Sequence, residues 1–308
     1  MGLLWGGSAR ARVFAAACAL SAMAMGCGDD SGNGGSSAGG AAPEGGSGQG
    51  GQGGAPEGGG PEGGAGGGAS TGTTFVLVHG AFAGAWSWDR VTPALEAGGA
   101  TVVTVELPAH GADETPTEDA TLAAYTDAVV AALDAASGQV VLVGHSMGGL
   151  VISQAAEARP DAVSKLVYLA AFMLEDGKSL IAASANDPES NLAMYLTQGT
   201  GTLTLQEEGV LGAFCSDCSD EDAALVISHL KPEPSAPFFT AVHVTEESWG
   251  SVPRAYIETL ADQTIGPTKQ ASFIAALPVD ETLTIDSGHC PFLTKPNELA
   301  AALLSLAP

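Results

Sequence analysis

The chain from Thr74 onward is predicted to fold as an α/β domain, a mostly parallel sheet flanked by helices. Three observations predict it. Short apolar runs recur along the chain, segments with apolar residues at helical spacing lie between them, and the rhythm breaks once, late, as an insertion would break it. Thr74-Phe75-Val76-Leu77-Val78 is the first buried-strand run, and Thr101 to Val105 is the second. Leu122, Tyr125, Val129, Val130 and Leu133 recur at helical spacing and lead into the third run, Gln139 to Val143. A helix follows through Leu150, Val151, Gln154 and Ala155, and Arg159-Pro160 ends it, because proline lacks an amide donor and disfavours helix at the preceding residue. Lys165 to Leu169 is the next strand. Arg254 to Ile257 and Thr282 to Ile285 are two more, and Asn297 to Leu306 is an apolar closing helix. Between about Phe172 and Val252 the strand–helix rhythm fails, and a mainly helical cap is expected there.

Composition bounds the partners. The chain has 308 residues and carries 35 acidic against 10 basic side chains, a formal charge of −25. Phosphate binding needs surplus Lys and Arg, so nucleic acid is excluded as a partner. Half of the 43 glycines lie between Gly28 and Ser70, in a stretch with no Val, Leu, Ile, aromatic or Cys. Such a segment cannot offset its ordering entropy by burial, so residues 28–70 are expected to be a disordered tether, about 35 Å in root-mean-square span. The folded domain is expected at 71–308, long enough for one full core, with the cap at about 172–252.

Gly144-His145-Ser146-Met147-Gly148 fits G-x-S-x-G and sits between an apolar strand and a helical pattern, the context in which this motif presents an exposed serine on a strained turn. A serine hydroxyl needs a base. Of the six histidines, only His289 follows the last strand, in the chain order serine, acid, histidine. His145, next to the serine, is expected to point elsewhere; His79 belongs to a strand end, His110 lies in a loop, and His229 and His243 lie in the cap. Asp262, after the penultimate strand, is the favoured acid to orient the imidazole, with Asp176 as its main rival and Asp286 a weaker one. His79-Gly80-Ala81-Phe82 supplies the second half of an oxyanion hole, the N–H of Ala81 pointing at the same oxygen as that of Met147. Trp86 and Trp88 are read as packing beneath that loop. Cys215 and Cys218 form C-x-x-C without a second ligand pair, so no metal is expected. In an oxidising compartment they would close a short disulfide, and Cys290 is read as lining the pocket floor.

The amino terminus resembles a lipoprotein signal. Arg10 and Arg12 precede an apolar run from Val13 to Met25 that is too short for a membrane span, and it ends in Ala24-Met25-Gly26-Cys27. This is similar to the lipobox of bacterial lipoproteins, which implies that residues 1–27 are a signal whose Cys27 becomes lipidated. No Asp directly follows that cysteine, which by the same resemblance implies the outer membrane or cell surface of a bacterial envelope. A secreted or periplasmic form is the alternative.

From Phe75 to the C-terminus the chain resembles the α/β-hydrolase superfamily, within it the branch of plant methylesterases, salicylate-binding-type esterases, hydroxynitrile lyases and bacterial carboxylesterases of pyrethroid type. The resemblance rests on FVLVHGAFAGAWSW (Phe75 to Trp88), LVGHSMGGLV (Leu142 to Val151), LVYLAAFM (Leu166 to Met173), DCSDEDAAL (Asp217 to Leu225), RAYIETLADQTI (Arg254 to Ile265) and SGHCPFLTKPNELA (Ser287 to Ala300). It implies Ser146 as nucleophile, Asp262 as acid, His289 as base, Ala81 and Met147 as oxyanion donors, and no cofactor. The lyases of the branch resemble this chain in their triad but carry threonine where Gly80 stands and lysine where Cys290 stands, so hydrolysis of small or medium apolar esters is the expected activity. A hydroxynitrile-lyase-like C–C lyase and a non-catalytic, ligand-binding surface lipoprotein are the alternatives. Phe172, Met173, Leu180, Met194, Tyr195, Leu196, Phe214, Phe238 and Phe239 are expected to build an apolar pocket in the cap, although core packing accounts for many of them equally well.

Overall fold

The structure is a computed structural model and describes residues 72–308. The expected signal segment, Cys27 and the 28–70 tether lie outside the described residues. In chain order the elements are β1 (Thr73–Val78), α1 (Thr92–Ala97), β2 (Thr101–Val105), α2 (Leu122–Ala135), β3 (Gln139–His145), α3 (Gly148–Ala158), β4 (Lys165–Leu169), α4 (Leu180–Ala183), β5 (Leu196–Gln198), β6 (Thr202–Leu205), α5 (Asp220–His229), β7 (Glu233–Pro234), α6 (Ala236–Phe239), β8 (Arg254–Thr259), α7 (Pro267–Ala276), β9 (Glu281–Ile285), α8 (Pro291–Thr294) and α9 (Pro296–Ser305).

Six strands pair in the order β2-β1-β3-β4-β8-β9, all parallel. The inner strands β1, β3 and β4 are buried along nearly their whole length, which is why they read as continuous apolar runs. The edges differ: β2 and β9 expose Thr101, Thr104, Glu281, Thr282 and Thr284, polar residues that discourage further strand pairing. Strand order also decides where the helices lie. The step from β1 to β2 runs one way across the sheet, and from β2 onward every step to the next strand of the sheet runs the other way. Right-handed crossovers therefore put α1 on one face and α2, α3 and α7 on the opposite face. The packing agrees: α2 lies on α3, α7 on β8, and α9, after the last strand, returns to α1. The reversal falls at β1 and β3, and a crevice outside the carboxyl ends of two such strands is the usual ligand position in an open α/β sheet.

The segment between β4 and β8 departs from expectation. It holds α4, α5 and α6 as anticipated, and also a three-stranded antiparallel sheet, β5-β6-β7. Strands of 3, 4 and 2 residues are too short to show a period of two. The chain's return from the cap is tied to the core by hydroxyls. Ser153 Oγ donates to Gly149 O (2.7 Å) and the Trp249 indole N–H donates to Tyr168 Oη (2.8 Å), so the Tyr168 hydroxyl donates to Ser153 Oγ (2.8 Å). Burial pushes the Tyr168 phenol up to about 12, keeping it a neutral donor and acceptor. Tyr168→Phe should therefore leave the buried Trp249 N–H unpaired and cost about 1–3 kcal/mol, read as a lower urea midpoint at unchanged slope.

Candidate active site

β3 runs directly into α3, and the turn between them is made by Ser146 and Met147. Ser146 has φ +55°, in the left-handed region that residues other than glycine rarely adopt. Close approach enforces this: a Cβ on Gly144 would stand 2.6 Å from Gly148 O, and one on Gly148 would stand 2.8 Å from His79 O. The Ser146 N–H donates to Leu169 O (3.2 Å), and its carbonyl accepts from Gly149 N (3.0 Å) and Phe172 N (3.1 Å). Surroundings that fix every backbone group in this way are what a strained residue needs to persist. The Tyr256 hydroxyl braces the neighbouring turn, donating to Ala171 O (2.7 Å) and accepting from Ala171 N (2.9 Å).

Asp262, just past β8, and His289, in the loop after β9, meet across adjacent strand ends. His289 Nδ1 lies 2.7 Å from Asp262 Oδ2, and both side chains are fully buried. The carboxylate is saturated with donors. Oδ1 accepts from the N–H groups of Thr264 (2.7 Å) and Ile265 (2.9 Å), and Oδ2 from Thr259 Oγ1 (2.9 Å) and Gln270 Nε2 (3.2 Å) besides His289. A buried carboxylate held by this many donors is an acceptor only, so His289 carries its proton on Nδ1 and leaves Nε2 as the basic nitrogen. That Nε2 is buried and has no hydrogen-bond partner. The rival acids lie elsewhere: Asp176 is exposed and pairs with His243 Nδ1 (2.9 Å), and Asp286 is exposed.

His145 is a correction. It does not point away: its ring packs 4.5 Å from the His289 ring, and its Nε2 donates to the His289 carbonyl (2.8 Å). Burial, with His289 beside it, holds its pKa well below the usual imidazole value, so it is a neutral brace that ties the His289 loop to the serine turn. Asp217 Oδ2 accepts from Gly288 N (2.8 Å), and the Phe214 ring meets His289 edge-on at 5.8 Å. Cys215 and Cys218, on either side of this contact, are joined as a disulfide. Cys290 is buried, donates its thiol to Phe214 O (3.1 Å) and is pushed up by burial, so it is a packed, inert thiol.

The loop after β1 presses on the same turn. A Cβ on Gly80 would stand 2.7 Å from Ser146 Cβ. His79 Nε2 accepts from Leu107 N (3.1 Å), so its Nδ1 carries the proton and donates to Gly80 O (2.9 Å). That carbonyl shares a peptide plane with the Ala81 N–H, which must therefore point the opposite way, away from His79. Met147 follows Ser146 and is the N-cap residue of α3, so its amide belongs to the electropositive helix start. Trp88 is buried against Phe292, while Trp86 is half-buried and stacks on His229 at 4.6 Å. Of the apolar cap residues, Phe172, Met173, Leu180, Phe214 and Phe238 are buried, whereas Met194 and Phe239 are 65% and 57% exposed.

Sequence reasoning missed the roles of Gln270, Thr264, His145 and Asp217, all of which hold other residues in place. Gln270 alone had a signal, a polar residue on the buried face of α7. Asp262→Asn would set an amide N–H₂ against groups that are all donors; the expected cost is about 1–3 kcal/mol in a urea melt, whether or not substrate is present.

Comparison with known proteins places this geometry. Residues 75–302 match the alpha/beta hydrolase family. Putative methylesterase 14, chloroplastic, of Arabidopsis thaliana is 31% identical over 248 residues, covering 76% of this chain and 71% of the relative. Salicylic acid-binding protein 2 of Nicotiana tabacum is 34% identical over 253 residues, covering 77% of this chain and 97% of the relative. The crystal structure of polyneuridine aldehyde esterase superposes with a TM-score of 0.69 at 26% identity, covering 76% of this chain and 98% of that one. With a single parallel sheet, a serine turn after β3 and a family match across nearly all of the described residues, the chain belongs to the alpha/beta hydrolase family.

Proposed function

We propose that the protein is a serine carboxylic-ester hydrolase for small or medium apolar esters, working through an acyl-enzyme and without a cofactor. One observation carries the reading: a buried His289, oriented by Asp262 so that an unpartnered Nε2 remains, packed against the residue that precedes a strained serine. The esterase and methylesterase relatives support ester hydrolysis as the reaction class.

In this reading Ser146 Oγ attacks the ester carbonyl while His289 Nε2 takes the hydroxyl proton. Negative charge grows on the carbonyl oxygen, where the N–H groups of Ala81 and Met147 receive it. Collapse of the tetrahedral intermediate breaks the C–O bond to the alcohol, which leaves with the proton returned by His289. Water, deprotonated by His289, then attacks the acyl carbonyl and frees the acid and Ser146. Asp262 stays ionised throughout and stabilises the imidazolium that forms twice per cycle. The residue after His289 is a neutral buried thiol, Cys290, with no charge to hold a departing cyanide, which favours hydrolysis over a lyase reaction.

We further infer delivery by an amino-terminal lipid on Cys27, with 28–70 as spacer, to the envelope surface; the support is the sequence pattern of residues 1–27.

Two measurements test these readings. With p-nitrophenyl acetate and butyrate, Ser146→Ala should lower kcat by about 10⁴-fold or more; wild-type turnover no faster than the variant across several esters would end the esterase reading. Metabolic labelling with palmitate should mark the wild type and spare Cys27→Ser, and equal labelling of the two would remove the anchor.

A further inference from the structure

Glu233 is a carboxylate with no part in the reaction just described, yet it is among the most enclosed charged groups of the described residues, 1% exposed. It lies in β7, inside the cap, between Pro232 and Pro234, two residues with no amide hydrogen to offer it. Its donors come from the other side of the cap boundary. Oε2 accepts from the Phe82 N–H at 2.7 Å and lies 2.9 Å from His110 Nε2. His110 Nδ1 in turn lies 3.0 Å from Pro108 O. A carbonyl and a carboxylate are both acceptors, so both ring nitrogens carry protons and His110 is an imidazolium. Burial alone would lower its pKa, but the charge and hydrogen bond of Glu233 outweigh burial and raise it. Both members of the buried pair are hydrogen-bonded, Glu233 through Oε2 alone, its buried Oε1 having no partner among the described residues.

The placement of the pair gives it a purpose. Phe82 has φ +60°, a left-handed conformation a phenylalanine does not hold unaided, and it follows Ala81 directly. The Ala81 peptide is pinned on its amino side by His79, through Gly80 O, and on its carboxyl side by the bond from Phe82 N–H to Glu233. One of these two pins belongs to the cap. The Phe82 ring also meets Phe214 edge-on at 6.3 Å, and Phe214 in turn faces His289.

We propose that Glu233 is a positioning residue: ion-paired with His110, it accepts the Phe82 amide and so holds the Ala81 N–H where the oxyanion forms, making cap seating a condition of transition-state stabilisation. The inference rests on the ester-hydrolase reading above. It requires an acceptor at the right reach more than it requires the charge. An interaction made only as the oxyanion develops should appear in kcat and leave KM nearly unchanged.

The test uses the full chain and three variants, Glu233→Gln, Glu233→Asp and Glu233→Leu, assayed with p-nitrophenyl butyrate. Turnover is expressed per Ser146 labelled to completion by a fluorophosphonate, so that unfolded molecules are not counted. Glu233→Gln keeps an oxygen at the same reach and should stay within about threefold of wild type. Glu233→Asp keeps the charge but withdraws it by one methylene, and Glu233→Leu removes the acceptor; each should lower kcat per labelled site by about tenfold or more at a KM within about threefold. Should Glu233→Leu fail to fold, the order of the Gln and Asp variants decides. Asp turning over as fast as wild type, Gln as slow as Asp, or a change confined to KM would each overturn the inference. A wild type with neither turnover nor labelling would instead overturn the hydrolase reading, and this inference with it.

Discussion

Ser146 is held in a backbone conformation that its own side chain opposes, and much of the domain can be read as what it takes to keep it there. Gly144 and Gly148 let strand and helix approach closely enough to close the turn, and Gly80 lets a third segment lie against Ser146 Cβ. β4 contributes its last carbonyl and the first residues beyond it the amide of Phe172. Tyr256, from β8, clamps the turn in which that amide lies. The end of β4 therefore does two things: it continues the parallel ladder, and its last carbonyl satisfies an amide that the strained serine turn would otherwise leave open.

The same economy governs the acid and base. Asp262 would be expensive to bury alone, and its cost is offset by two backbone amides, a threonine, a glutamine and His289. Saturating the carboxylate is what leaves the imidazole only one way to face. His145 and Asp217 then fix the main chain of the His289 loop from opposite sides, one from beside the serine and one from the cap. The candidate site thus surrounds an unpartnered His289 Nε2 with a carboxylate whose oxygens are both satisfied and a loop whose main chain is held.

The inner strands were legible because being covered on both faces forces continuous apolar runs, and the partly exposed edge strands because β-branched residues fill them; Thr101 to Val105 and Lys165 to Leu169 match the observed limits, and the others differ by one or two residues. The serine turn and its histidine were legible because motif and chain order carry them. α1 escaped notice because six residues hold too few turns to show a period, although Pro93 near its start is a helix signal. The small cap sheet escaped for the same reason of length. Residues that brace others, such as His145, Asp217 and Glu233, have no local pattern that announces the role, since their partners lie far along the chain and only tertiary contact reveals them.

Pro232-Glu233-Pro234 has a bearing on how such enzymes diversify. The cap is a continuous insertion between β4 and β8, with a small sheet of its own. Here the insertion sends a single buried anion to two loops of the platform that precede it by 151 and 123 residues. A cap transplanted from a relative without an acceptor at that point would bring a new pocket and, with it, a buried His110 stripped of its counter-charge and a loosened amide. In this chain the boundary between specificity and catalysis does not coincide with the boundary of the insertion.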